Sequence, residues 1–149
     1  MAISAQARQG HRLLQAGFVL FLLGLCVGFA VPALANPRMA LASHLEGVLN
    51  GIFLIALGLV WPRLDLAPIA CRIGCGLAVF GTFANVLATL LAAAWGAGKM
   101  MPIAAQGKVG SAAQEGTIQA LLVALALAMV GVCVVVLFGL RNGPRDANP

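Results

Sequence analysis

The segment Ser43 to Gly51, SHLEGVLNG, brings His44, Glu46 and Asn50 to the threshold of an apolar run, Ile52 to Val60. An imidazole is a metal ligand, a carboxylate carries protons, and an amide holds a polar group in place. Polar side chains at membrane depth are costly and mark sites or pathways. Glu46 and Asn50 are four residues apart and share a helical face. His44, Gly47 and Gly51 form an adjoining stripe about 60° to 120° round the axis. Glycines beside a histidine leave a flat recess in which a planar group can lie against the backbone. A second polar stripe follows in a later run, where Cys71, Gly74, Ala78, Thr82, Asn85 and Thr89 recur at helical spacing. That stripe should face protein or a cavity. Thr82 and Thr89 can satisfy themselves on helix carbonyls, whereas the Asn85 amide, with two donors and an acceptor, needs partners elsewhere.

His44 has two readings: an imidazole hydrogen-bonded near the lipid headgroups, or a metal ligand. One histidine cannot make a zinc site, but one can hold a haem. For Glu46 the choice lies between a solvated or ion-paired carboxylate, with Arg38 or Lys99 as the cation, and a proton carrier suited to acid–base work.

The elements that position these groups follow from composition. Of 149 residues, 62% are hydrophobic and 9% charged, with mean hydropathy +1.02. A soluble domain carries roughly 25% charged residues, so this chain cannot cover an aqueous surface. Crossing about 30 Å of hydrocarbon takes about 20 helical residues. Four runs satisfy this, the second only if Ala40 to Gly51 belongs to the span. Ala and Leu dominate them without the alternation a membrane barrel requires. The expectation is therefore one all-α membrane domain over 1–149, a bundle of four transmembrane helices at roughly 12–32, 42–61, 71–95 and 116–140.

Arg8, Arg12, Arg63, Arg72, Arg141 and Arg145 fall on the side of the termini, against Arg38, Lys99 and Lys108 on the other. The positive-inside rule then puts both termini in the cytoplasm. His11, the other histidine, lies at the opposite membrane face from His44, which argues for a single protein ligand and an open iron position.

Other features have plain explanations. Arg8, Arg12 and Ala33-Leu34-Ala35 imitate a secretion signal, but the intervening apolar stretch of about 19 residues exceeds the 7 to 15 of such signals. Cys26, Cys71, Cys75 and Cys133 match neither a zinc spacing nor covalent haem attachment. Trp61 and Trp95 stand at the ends of the second and third runs, where indoles favour the membrane interface. Gly17, Gly24 and Gly28, with Gly74 and Ala78, suit close helix contacts within the bundle or between copies. The net charge of +5 comes from the flanking basic residues, and no basic or aromatic patch points to nucleic acid. The segment Gly96 to Gly116 is long for a connection and suits a lid or a re-entrant loop; Lys99, Lys108 and Glu115 read as solvated.

Two patterns carry a family resemblance. His44-x-x-Gly47-x-x-Asn50-Gly51, with the apolar helix ending near Pro62, resembles the corresponding helix of membrane-bound styrene oxide isomerases. The hydroxylaminobenzene mutase family is similar over a larger share, through N-G-x-x-x-x-x-x-G-L-x-W-P at Asn50 to Pro62 and G-x-x-x-N-V at Gly81 to Val86. The resemblance implies a trimer in a bacterial-type inner membrane, with haem b at a subunit contact and ferric iron acting as a Lewis acid. It implies the axial-ligand role for His44, with Gly47 and Gly51 beside the cofactor, and an orienting role for Asn50, with Asn85 matching an asparagine of the third helix. Gly81 stands where the isomerases have an aspartate, Thr89 or its neighbours replace a tyrosine, and the chain contains no tyrosine. These departures favour rearrangement of an N-aryl hydroxylamine to a 2-aminophenol over epoxide isomerisation.

That reaction is redox-neutral, in keeping with the absence of a dinucleotide-binding glycine loop. Glu46 is suited to carry the proton lost on rearomatisation. Three alternatives remain: an aryl-epoxide isomerase; a small multidrug exporter, for which Glu46 is the sole membrane carboxylate; and a haem electron-transfer subunit, which would need a second axial ligand.

Overall fold

The computed structural model describes residues 4–141. Among these, all regular structure is helical: α1 (Ala5–Ala30), α2 (Pro37–Val60), α3 (Pro68–Trp95), the short α4 (Pro102–Ala105) and α5 (Ala112–Leu140). Four of the five are long and apolar enough to cross a membrane, so this is a multi-pass membrane protein. Arg145, counted above for orientation, lies outside the described residues.

Each long helix starts earlier than the apolar runs suggest, because local chemistry sets the start. Ser4 caps α1 by accepting from the Ala7 N–H, and Asn36 caps α2 by accepting from Met39. Pro37 and Pro68 open α2 and α3, at positions where a missing N–H costs nothing. Ser111 and Gln114 form a capping box on α5.

The α1–α2 hairpin is closed by glycines. A Cβ on Gly10 would stand 2.8 Å from the Gly58 carbonyl oxygen, one on Gly17 2.8 Å from that of Gly51, and one on Gly47 2.5 Å from the Gly24 Cα. The two backbones thus touch along most of their length, antiparallel. In lipid such approach supplies the packing that hydrophobicity cannot. Of the small residues expected to serve the bundle or its assembly, Gly17 and Gly24 serve this contact within one chain, whereas Gly74 of α3 meets Trp61 and Val135. Helix α3 packs on α2, and α5 packs chiefly on α3, so the long helices follow one another in an array.

Trp61 differs from expectation. It is fully buried rather than interfacial, its ring against Gly74 and its Nε1 donating to Gln9 Oε1 at 3.4 Å. The turn Trp61–Arg63 folds under α1, where Gln6 Nε2 donates to the carbonyls of Trp61 and Leu64 at 2.8 Å each. Trp95 is partly exposed, as an interfacial indole should be.

Gly47→Ala should lower stability by about 1–3 kcal/mol, since the added methyl must displace backbone. Gly76→Ala, with nothing within 4 Å of its new Cβ, should leave stability unchanged or raise it by up to about 1 kcal/mol. Thermal unfolding in detergent measures both.

Candidate functional site

Helix α2 carries polar groups on two opposite edges. At about 100° per residue, Glu46 sits about 160° round the axis from His44. Between them Leu41, Leu45, Leu49 and Ile52 form an exposed apolar stripe. His44 thus turns toward α1, and Glu46 toward α3.

His44 Nδ1 lies 2.8 Å from the Gly24 carbonyl oxygen. A carbonyl only accepts, so Nδ1 carries the proton and Nε2 keeps its lone pair. Gly28 makes room for the ring: a Cβ there would stand 2.9 Å from Nδ1. Nε2 has no partner among the described residues, and no buried side-chain nitrogen or oxygen there lacks one, so Nε2 is accessible. An imidazole fixed through Nδ1–H to a carbonyl, with Nε2 open, is the arrangement of a metal-ligating histidine. Beside it the half-exposed Leu41 and Leu45 offer apolar surface. These residues could hold a haem iron through one imidazole. No group of three or more potential ligands forms a metal cluster among the described residues.

Gly47 and Gly51 do not line an open recess. Gly47 is pressed on Gly24, and a Cβ on Gly51 would meet the Phe21 backbone at 2.7 Å. The flat surface beside His44 is filled by α1, so neither glycine has room for a planar ligand on that face.

Glu46, Asn50 and Asn85 do come together. Asn85 Nδ2 donates to Glu46 Oε2 at 2.7 Å across the α2–α3 contact, and Asn50 Nδ2 donates to the same oxygen at 3.1 Å. Asn50 Nδ2 also reaches the Glu46 carbonyl at 2.8 Å. The carboxylate is therefore held by amides rather than by Arg38 or Lys99, and it has no ion pair among the described residues. Thr82 and Thr89 donate to carbonyls of their own helix, at 2.8 Å to Ala78 and 3.0 Å to Asn85, as their position in α3 suggests.

Glu46, Asn85 and Thr89 line a groove of about 700 Å³, within the range of small-molecule sites. Arg38 completes its polar lining; Leu41, Leu45 and the segment Met100 to Ala104 supply the apolar walls. The long connection is thus a roof with defined structure. Asn36, fully buried, donates through Nδ2 to the carbonyls of Ala104 and Ala105 at 3.0 and 3.2 Å. Glu115 accepts the backbone N–H groups of Gly98 at 3.0 Å, Lys99 at 2.9 Å and Gly110 at 2.9 Å. Expected to be merely solvated, Glu115 ties both ends of the connection together, and the Lys108 ammonium donates to the Ala35 carbonyl. Asn36 escaped the sequence reading because one asparagine before a proline signals only a cap.

Glu115→Ala should free the roof while leaving the four long helices intact. Limited proteolysis should then cleave within 96–111 at least about tenfold faster, with unchanged helical circular dichroism.

A family model described as styrene oxide isomerase matches residues 9–141. Two proteins of Ectopseudomonas oleovorans are similar to this chain. Hydroxylaminobenzene mutase HabB is 58% identical over 146 residues, covering 97% of this chain and 89% of its own length. Hydroxylaminobenzene mutase HabA is 45% identical over 130 residues, covering 86% of this chain and 96% of its own. No solved structure matches significantly.

Proposed function

This chain belongs to the styrene oxide isomerase family, and from that membership we propose that it is a membrane-bound mutase rearranging hydroxylaminobenzene to 2-aminophenol. Both similar proteins of Ectopseudomonas oleovorans bear the mutase name. The observation that carries the reading is the Glu46 carboxylate, held by Asn50 and Asn85 in a groove whose walls are mainly apolar, with Arg38 and Thr89 its other polar side chains. A small aromatic ring finds apolar contact there, with a proton acceptor beside it.

The cofactor proposed is haem b, on His44. When bound, haem supplies a Lewis-acidic iron able to polarise an N–O bond. His44 would hold it through Nε2, with the ring kept in one tautomer and one orientation by the Gly24 carbonyl. Asn50 and Asn85 fix the position of Glu46 Oε2 and leave Oε1 to take the ring proton released on rearomatisation. The segment from Met100 to Ala104 gives the ring an apolar wall.

His44 and Glu46 occupy opposite edges of α2, so one protomer cannot present both to one substrate. We infer a homo-oligomer, a trimer by family resemblance, in which the His44 edge of one protomer meets the groove of the next. The exposed stripe Leu41, Leu45, Leu49 and Ile52 between the two edges supports such an arrangement. A bacterial-type inner membrane with both termini in the cytoplasm completes the proposal.

Purified protein should convert hydroxylaminobenzene to 2-aminophenol without added reductant, as followed by chromatography. Failure to do so, with turnover of an aryl epoxide instead, would favour the epoxide isomerase. The purified protein should also show a Soret band that His44→Ala abolishes; colourless active wild-type protein would refute the haem assignment. Asn50→Ala, with its haem retained, should lose at least about tenfold in kcat, since the Glu46 carboxylate loses one of two amide donors.

A further inference from the structure

The groove also bears on which molecules it accepts, an inference that rests on the mutase reading of the same site. Asn50 Nδ2 gives its two protons to the Glu46 carbonyl and Oε2, whereas Asn85 Nδ2, in the groove lining, gives one proton to Oε2 and keeps the other. Each amide oxygen is therefore left over, together with Glu46 Oε1. None of these three oxygens has a donor among the described residues, and none is sealed, because no buried side-chain oxygen there lacks a partner. The Thr89 hydroxyl proton points to the Asn85 and Val86 carbonyls, at 3.0 and 3.1 Å, and so gives no donor to the groove. The side-chain donors that remain are that second Asn85 N–H and Arg38, the latter eight residues before Glu46 on α2 and thus about 12 Å along the axis from it.

The charged group that Glu46 presents to the groove consequently accepts, and the cation stands at the far end. We propose that Glu46 is a specificity filter favouring aromatic compounds whose substituent carries N–H or O–H protons over those whose substituent only accepts. A hydroxylamine offers both an N–H and an O–H. An epoxide offers neither, and its oxygen would meet the carboxylate oxygen with no proton between them. A polar group left without its complement in such a site loses far more than a misfitting methylene.

Aniline and toluene test this without chemistry, since they match in size, lack an N–O bond, and differ in donating two N–H protons or none. Equilibrium dialysis against detergent-solubilised holoprotein gives the ratio of their dissociation constants, with partition into empty micelles subtracted. Wild-type protein should prefer aniline, and Glu46→Gln, which turns an amide donor into the groove, should reduce that preference at least about tenfold. Gly76→Ala, outside the groove, should leave the ratio unchanged. A ratio unaltered in Glu46→Gln, with wild-type melting temperature, would overturn the filter. Should Glu46→Gln fold poorly, Glu46→Ala provides the second variant, with a loss of preference expected and an unchanged ratio again counting against the filter. Because neither probe reacts, the outcome is independent of whether the protein turns over hydroxylaminobenzene.

Discussion

Apolar side chains gain little by leaving lipid for one another, so a membrane protein of this composition needs another source of cohesion. Here it is the meeting of two backbones. Glycines 10, 17 and 24 of α1 oppose glycines 58, 51 and 47 of α2 so closely that a Cβ at any of them would strike the other helix. Dispersion between main chains replaces the hydrophobic effect. The contact also fixes the rotation of α2, and that rotation determines everything polar on it. With Gly47 and Gly51 against α1, His44 must emerge at one margin of the seam and Glu46 must face α3.

The second level of order is polar. Glu46, Asn50 and Asn85 join α2 to α3 through hydrogen bonds to an acidic group, which are stronger than those between neutral partners. Asn36 and Glu115 then join the connection before α5 to the rest of the chain. Their shared trait is that side chains satisfy main-chain groups a largely irregular, glycine-containing segment cannot satisfy for itself.

Much of this was legible in the sequence, wherever the helical period alone decides. Periodicity set Asn85 and Thr89 on one stripe of α3, and the structure places that stripe against α2. The Glu46–Asn50 pair is likewise an i, i+4 relation. The Glu46–Asn85 bond is not, because it depends on how two helices are rotated against each other. The glycine recess failed for the same reason: a row of glycines reads equally as a cradle for a flat ligand and as a track for a second helix, and only the seven-residue recurrence Gly10, Gly17, Gly24 hinted at the latter. Trp61 was misplaced because an indole at the end of an apolar run fits either the interface or a turn folded inward over Gly74. Glu115 was missed because its partners are backbone amides, invisible to any side-chain pattern.

Helix α5 is the least buried of the long helices within the chain and rests chiefly on α3. Yet its first turn carries Glu115, which gathers the segment roofing the groove. During synthesis a chain emerges from its amino end, so the first three long helices can assemble before α5 is made. Until α5 arrives, that roof lacks the mooring that Glu115 supplies. Insertion of the last helix into the bilayer is thereby linked to completion of the pocket, and a nascent or truncated chain would hold a bonded carboxylate under an unfinished cover.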